Sequence, residues 1–155
     1  MDDLEQRLVM ADRLAKITQQ VGFTLWQIQV LEGVSAQYLV LLTQAQKGMG
    51  TEAANILMKS ANSKTFGATI TKMIKADLLK GDLKQRFEKL LSERNWLVHR
   101  SRADSHLAIH SDKTSRALIA RLETLANDVL VLMKTISGLT EEFVLERGIS
   151  KAVIE

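Results

Sequence analysis

Apolar and polar positions along this chain recur with the period of an α-helix from one end to the other. Residues 3–20 place Leu4, Leu8, Ala11, Leu14 or Ala15, and Ile17 on one stripe, the spacing of an amphipathic helix. Gly22 is expected to interrupt it. Thr24 stands three residues before Gln27, a capping-box arrangement that can start a new helix. That helix, about 24–47, is apolar on most sides (Leu25, Ile28, Leu31, Val34, Tyr38, Leu39, Leu42), so it is expected to be the most buried, with Gly48 and Gly50 closing it. Thr51 is placed to cap a short segment over 52–60 that carries Ile56, Leu57 and Met58, and 60–64 reads as a turn. A helix over 66–79 sets Phe66, Ile70, Met73, Ile74 and Leu78 on one side, and Gly81-Asp82 ends it. Asp82, with Gln85 at the third following position, caps a helix that runs to about 100. Residues 101–112 read as a polar loop. The last long helix, 113–137, carries Leu118, Leu122, Leu125, Val129, Leu132 and Ile136 on a narrow stripe; Gly138 closes it and a tail helix follows over 141–147.

No alternation of period two competes with these helices, and short connections favour antiparallel neighbours. The expected fold is therefore all-α, an up-and-down antiparallel helical bundle forming a single domain over 1–155. Composition agrees: the chain has no proline, the residue that breaks helices. It has no cysteine either, so disulfides and thiolate metal sites are excluded. The start, Met1-Asp2-Asp3-Leu4-Glu5, is acidic and does not read as a signal peptide. The longest apolar runs, 39–42 and 129–133, fall far short of the roughly 20 residues that cross a bilayer. The expectation is a cytoplasmic protein with no membrane partner. A net charge of +3 is compatible with an anionic ligand.

The helix after Asp82 carries the chemistry. With Phe87 at zero degrees and about 100° per residue, Leu83, Leu90, Leu91, Leu97 and Val98 lie within roughly 80° of it. Arg94 lies only about 20° from the centre of that stripe. A guanidinium among apolar side chains is costly unless it is paired or faces an interface or cleft. It either pairs with a carboxylate, near Glu93 or at Asp104, or meets a ligand. Asn95 and His99, four apart, share one flank of the same helix, expected next to the Arg94 side rather than opposite it. Arginine binds phosphate oxygens bidentately, histidine moves protons near neutrality, and an amide can hold the imidazole or the substrate. The plainer reading of His99 is a helix-end histidine that meets the helix dipole.

Six cations, Lys84, Arg86, Lys89, Arg94, Arg100 and Arg102, stand against Glu88 and Glu93 in this stretch. Lys89, Arg100 and Arg102 are the candidates for gripping a phosphate backbone; a solvated helix face is the other reading. Trp96 lies nearly opposite Phe87. It either offers an interface to a second subunit or packs beneath another helix of the bundle. His106 and His110 are four apart, but their segment reads as a loop without a third ligand at metal spacing, so no metal site is expected. Gly48-Met49-Gly50-Thr51 lacks the glycine–lysine pair of a phosphate loop, and there is no serine nucleophile elbow. No cofactor is expected.

The segment Arg94-Asn95-Trp96-Leu97-Val98-His99 resembles the signature of the HEPN superfamily: an arginine, a polar residue, and a histidine after four to six intervening positions. Leu90-Leu91-Ser92-Glu93 and Thr65-Phe66-Gly67-Ala68-Thr69-Ile70 also look like segments of helical proteins that carry this motif. The likeness spans roughly residues 24–137. It implies a HEPN-like all-α bundle that dimerises and brings two motifs together, with many members acting as metal-independent endoribonucleases in toxin–antitoxin, phage-defence or RNA-processing systems. Carried over, His99 serves as acid or base for attack of the RNA 2′-hydroxyl on the adjacent phosphorus. Arg94 stabilises charge on the phosphoryl oxygens, and Asn95 positions the substrate or His99. RNA, a second copy, and a cognate antitoxin or nucleotidyltransferase are the partners the likeness implies. One toxin subgroup carries a tyrosine two residues after the histidine, where such a transferase modifies it; here that position is Ser101. The alternative function is a non-catalytic interaction or regulatory protein on the same fold, which dimerises or binds a partner or nucleotide.

Overall fold

The structure is a computed structural model and describes residues 1–146. Among the described residues there are six helices and no strand: α1 Asp3–Thr43, α2 Gly50–Asn62, α3 Phe66–Lys75, α4 Leu83–His99, α5 Ser101–Ala108 and α6 Asp112–Glu146. The all-α expectation holds.

Two expected breaks do not occur, and one expected loop is partly helical. α1 runs unbroken through Gly22, because a glycine inside a helix costs only about 1 kcal/mol relative to alanine and a long helix absorbs that. Thr24 is consequently no cap: it is fully buried, and its hydroxyl donates to the Leu122 carbonyl at 3.4 Å. α6 likewise passes through Gly138, so the expected tail helix is its last turns, with residue 147 outside the described residues. The expected loop 101–112 holds α5. Its buried positions, Ser101, Ser105 and Ala108, have helical spacing but are small and polar, so the apolar pattern does not show them. Their hydroxyls are satisfied one turn back, Ser101 on the Leu97 carbonyl and Ser105 on the Ser101 carbonyl.

Other boundaries shift slightly. α1 ends at Thr43, and Gly48 and Gly50 adopt φ of +82° and +81°, the left-handed conformation that glycine tolerates best. Met49 rather than Thr51 precedes α2, and Thr65 caps α3 by accepting from the Ala68 N–H. Ser111 accepts from the Thr114 N–H at the start of α6.

The described residues pack as two compact units, Met1–Gln29 with Lys89–Val129, and Val30–Glu88 with residues 130–146. In the first, Ile17, Ile28, Leu90, Leu97, Leu118, Leu122, Leu125 and Val129 are buried. Arg13 donates to the Ile109 carbonyl at 2.9 Å and Thr24 meets Leu122, so α1 and α6 run parallel there. Within this unit the end of α4 and the start of α6, joined through the short α5 and paired at Glu93 and Arg121, run in opposite directions. In the second unit Leu31, Leu39, Ile70, Met73, Phe87, Leu132 and Ile136 are buried. The Phe66 and Phe87 rings meet edge-on at 6.3 Å.

Candidate functional site

α4 is positioned by its apolar row. Leu83, Phe87, Leu90 and Leu97 are all buried, spaced by one or two turns. Arg94 fills the row's remaining place, one turn after Leu90 and just before Leu97, and is half-buried. It already interacts with another group of the chain. Val98, expected in the buried stripe, instead lies at its edge and is 46% exposed.

Asn95 and His99 are exposed, one turn apart on the same flank. Relative to Arg94, His99 stands about 140° around the helix and about 7.5 Å along it. The three side chains share the last two turns of α4 but not one face. His99 is the last residue of α4. Arg100 forms the kink between α4 and α5 with φ −125° and ψ −19°, and is exposed. Arg102 in the first turn of α5 is exposed too, as is Lys89, about 80° around α4 from His99. The end of α4 therefore offers His99, Asn95, Arg100 and Arg102 to solvent within a short stretch.

The other flank of α4 is locked within the chain, and sequence reasoning missed how. Arg121 of α6 grips Glu93 with two hydrogen bonds, Nε to Oε2 at 3.0 Å and Nη2 to Oε1 at 2.8 Å. The same guanidinium lies 3.5 Å from the centroid of the Trp96 ring. The Trp96 Nε1 donates to the Asp104 Oδ2 of α5 at 2.6 Å. Hydrogen bonding to Glu93 raises the Arg121 pKa, burial opposes this, and the charges of Glu93 and Asp104 add to it. Trp96 therefore contacts α5 and α6 within its own chain and stays half-buried. Asp104, a candidate partner for Arg94, accepts from Trp96. The available signal was the i, i+3 spacing of Glu93 and Trp96 on the outward side of α4, which asks for one cation to serve both.

His106 lies in α5 and His110 just beyond its end. Among the described residues no group of three histidine, cysteine or carboxylate side chains is placed to hold a metal ion. A cleft of about 490 Å³ opens between α1 and the start of α6, lined by Leu8, Val9, Asp12, Arg13, Lys16, Asp112, Ser115, Arg116 and Ile119. It contains none of the α4 site residues. Its charges are largely answered in place, Lys16 by Asp12 and Arg116 by Asp112, each at 2.8 Å. Among the described residues no helix is long and apolar enough to cross a membrane.

These features define a helical protein with a basic, histidine-bearing helix end. No protein-family model matches the chain, and no curated protein and no solved structure does.

Proposed function

We propose that this chain is a HEPN-like, metal-independent endoribonuclease of the kind found in toxin–antitoxin or phage-defence systems, working at the end of α4. The observation that carries the reading is the run Arg94-Asn95-x3-His99 on the last turns of one helix, with the imidazole open to solvent beside Arg100 and Arg102. In this reading His99 accepts the proton of the RNA 2′-hydroxyl as its oxygen attacks the adjacent phosphorus. The bond to the 5′-oxygen breaks, that oxygen takes a proton, and the products are a 2′,3′-cyclic phosphate and a 5′-hydroxyl. Arg94 exchanges its contact within the chain for the phosphoryl oxygens, where charge grows in the transition state. Asn95 orients the substrate or the imidazole. Lys89, Arg100 and Arg102 hold the flanking phosphates, which makes binding salt-dependent. The site functions in a homodimer, and the cytoplasm is the compartment that an RNA substrate implies. A control partner, antitoxin or transferase, cannot use position 101 as the tyrosine-bearing toxins do, because Ser101 is buried with its hydroxyl bound to Leu97.

The test is incubation of the purified chain with RNA in EDTA, followed by analysis of the product ends. Cyclic phosphate ends that vanish with His99→Ala support the reading; intact RNA, or cleavage that needs a divalent ion, rejects it. One observation favours the second reading, a non-catalytic interaction protein: Arg94 is half-buried and already engaged. In that case Arg94→Ala lowers stability while RNA stays intact with every variant.

A further inference from the structure

The cleft between α1 and the start of α6, about 490 Å³, falls in the range of about 300–1,000 Å³ usual for sites of small ligands. It lies within the first of the two units and shares no residue with the α4 end. Its two carboxylates are already engaged, Asp12 with Lys16 and Asp112 with Arg116, each pair one turn apart on its own helix. A cation and a hydroxyl are left over. Arg13, on the α1 wall, is half-buried; its Nη1 donates to the Ile109 carbonyl, and its other nitrogens have no partner among the described residues. A guanidinium partly removed from water without a counter-ion is costly until an anion meets it.

Ser115, on the α6 wall, is only 3% exposed, yet its hydroxyl has no hydrogen-bond partner among the described residues. The other buried serines of this unit, Ser101 and Ser105, each return the hydroxyl to a carbonyl one turn back. For Ser115 that carbonyl belongs to Ser111, and it accepts from the Thr114 Oγ1 instead. The Ser35 hydroxyl is sealed in the core, whereas that of Ser115 opens onto the cleft. A buried donor without a partner costs stability unless something in the cleft accepts from it.

We propose that this cleft binds a small organic acid: an oxyanion, carboxylate or phosphate, carried on an apolar body. The oxyanion accepts from the free N–H groups of Arg13, whose planar fork suits two oxygens at once, and from the hydroxyl of Ser115. The first turns of α6, a 35-residue helix, add the positive end of its dipole. Leu8, Val9 and Ile119 give the apolar body a wall, and Leu8, 61% exposed, has the most water contact to lose. A bare inorganic ion leaves that wall wet, and a neutral apolar molecule leaves Arg13 unanswered, so the lining selects for both features in one ligand. The site stands on α1 and α6 and is read by binding, so it survives or fails independently of the nuclease reading.

The experiment titrates the full chain with benzoate and with phenyl phosphate, and with inorganic phosphate and benzyl alcohol as controls, by calorimetry. At least one of the two acids is expected to bind with a Kd at or below about 1 mM, and the tighter of them names the head group. Both controls are expected to bind at least about tenfold more weakly, since each offers only half of what the cleft selects. Arg13→Lys keeps a donor for the Ile109 carbonyl but loses the planar fork, and should weaken binding about tenfold. Ser115→Ala should weaken it about fivefold while the ligand-free Tm stays the same or rises, because the hydroxyl has no partner to lose. The proposal is overturned if neither acid binds up to about 10 mM, or if benzyl alcohol matches benzoate. It is overturned equally if the acids bind both variants as tightly as wild type.

Discussion

Arg121→Ala removes a side chain that joins α6 to the outer flank of α4. Two contacts disappear together: the two-pronged ion pair to Glu93 and the stacking 3.5 Å over Trp96. Arg121 and Glu93 side chains are 41% and 25% exposed, so the ion pair is partly screened and contributes about 0.5–1 kcal/mol. The cation over the half-open indole adds about 0.5–1 kcal/mol. The variant should lose about 1–2 kcal/mol in urea unfolding. For a chain of this size that lowers Tm by about 2–8 °C. Trp96→Leu removes the ring and also frees Asp104 from its indole partner. The double-mutant cycle of Arg121→Ala with Trp96→Leu should therefore show a coupling of about 0.5–1 kcal/mol. Raising sodium chloride to molar levels should shrink the loss at Arg121 without abolishing it, since salt screens the ion pair more than the ring contact. A loss under about 0.3 kcal/mol, or a cycle without coupling, refutes the clamp as an energetic unit.

Two further outcomes follow from buried polar groups in the second unit. Ser35 is fully buried and its hydroxyl has no hydrogen-bond partner, so Ser35→Ala should stabilise the chain by about 1 kcal/mol; a lower Tm would mean that the hydroxyl is satisfied. Burial raises the Tyr38 pKa above its usual value of 10.0, with Lys80 opposing. The folded state therefore favours the neutral phenol. That stability is fully present below the unfolded-state value and declines as pH rises through it towards the raised one. Tyr38→Phe should flatten the decline of Tm in the alkaline range while changing little at neutral pH, where only a 3.4 Å bond to the Leu78 carbonyl is lost. An unchanged alkaline slope would contradict this.

The helices themselves were legible wherever they bury leucine, isoleucine or phenylalanine at helical intervals, as in Leu118 to Ile136 of α6 or Leu83 to Leu97 of α4. Their ends were not. Gly22 and Gly138 carry the residue type of a stop signal, yet the flanking apolar rows continue in phase on either side, and packing along the row outweighs a propensity penalty of about 1 kcal/mol each. α5 was hidden for a different reason: serines that return their hydroxyls to the preceding turn look polar in sequence and behave as core in the structure.

At the α4 end, the placement of Arg94 in the apolar row could be read from spacing alone, and so could the shared flank of Asn95 and His99, but not that this flank is exposed and stands well around the helix from Arg94. The partners of Trp96 could not, because Arg121 and Asp104 reach it from other helices, and spacing on α4 carries no information about what faces it. The exposed face of α1 lay in plain view as Leu4, Leu8, Ala11 and Ala15. The single stripe expected over 3–20 was not one face, for Leu4 and Leu8 are exposed while Ile17 is buried, more than a third of a turn away around the helix.

The α4 reading meets its most direct test in the rate of RNA cleavage in EDTA by wild type, Arg94→Ala and His99→Ala at matched thermal stability. Cleavage by wild type, and at least a hundredfold loss in each variant, is the expected result. Equal rates in all three, or intact RNA with wild type, would contradict a nuclease centred on Arg94 and His99.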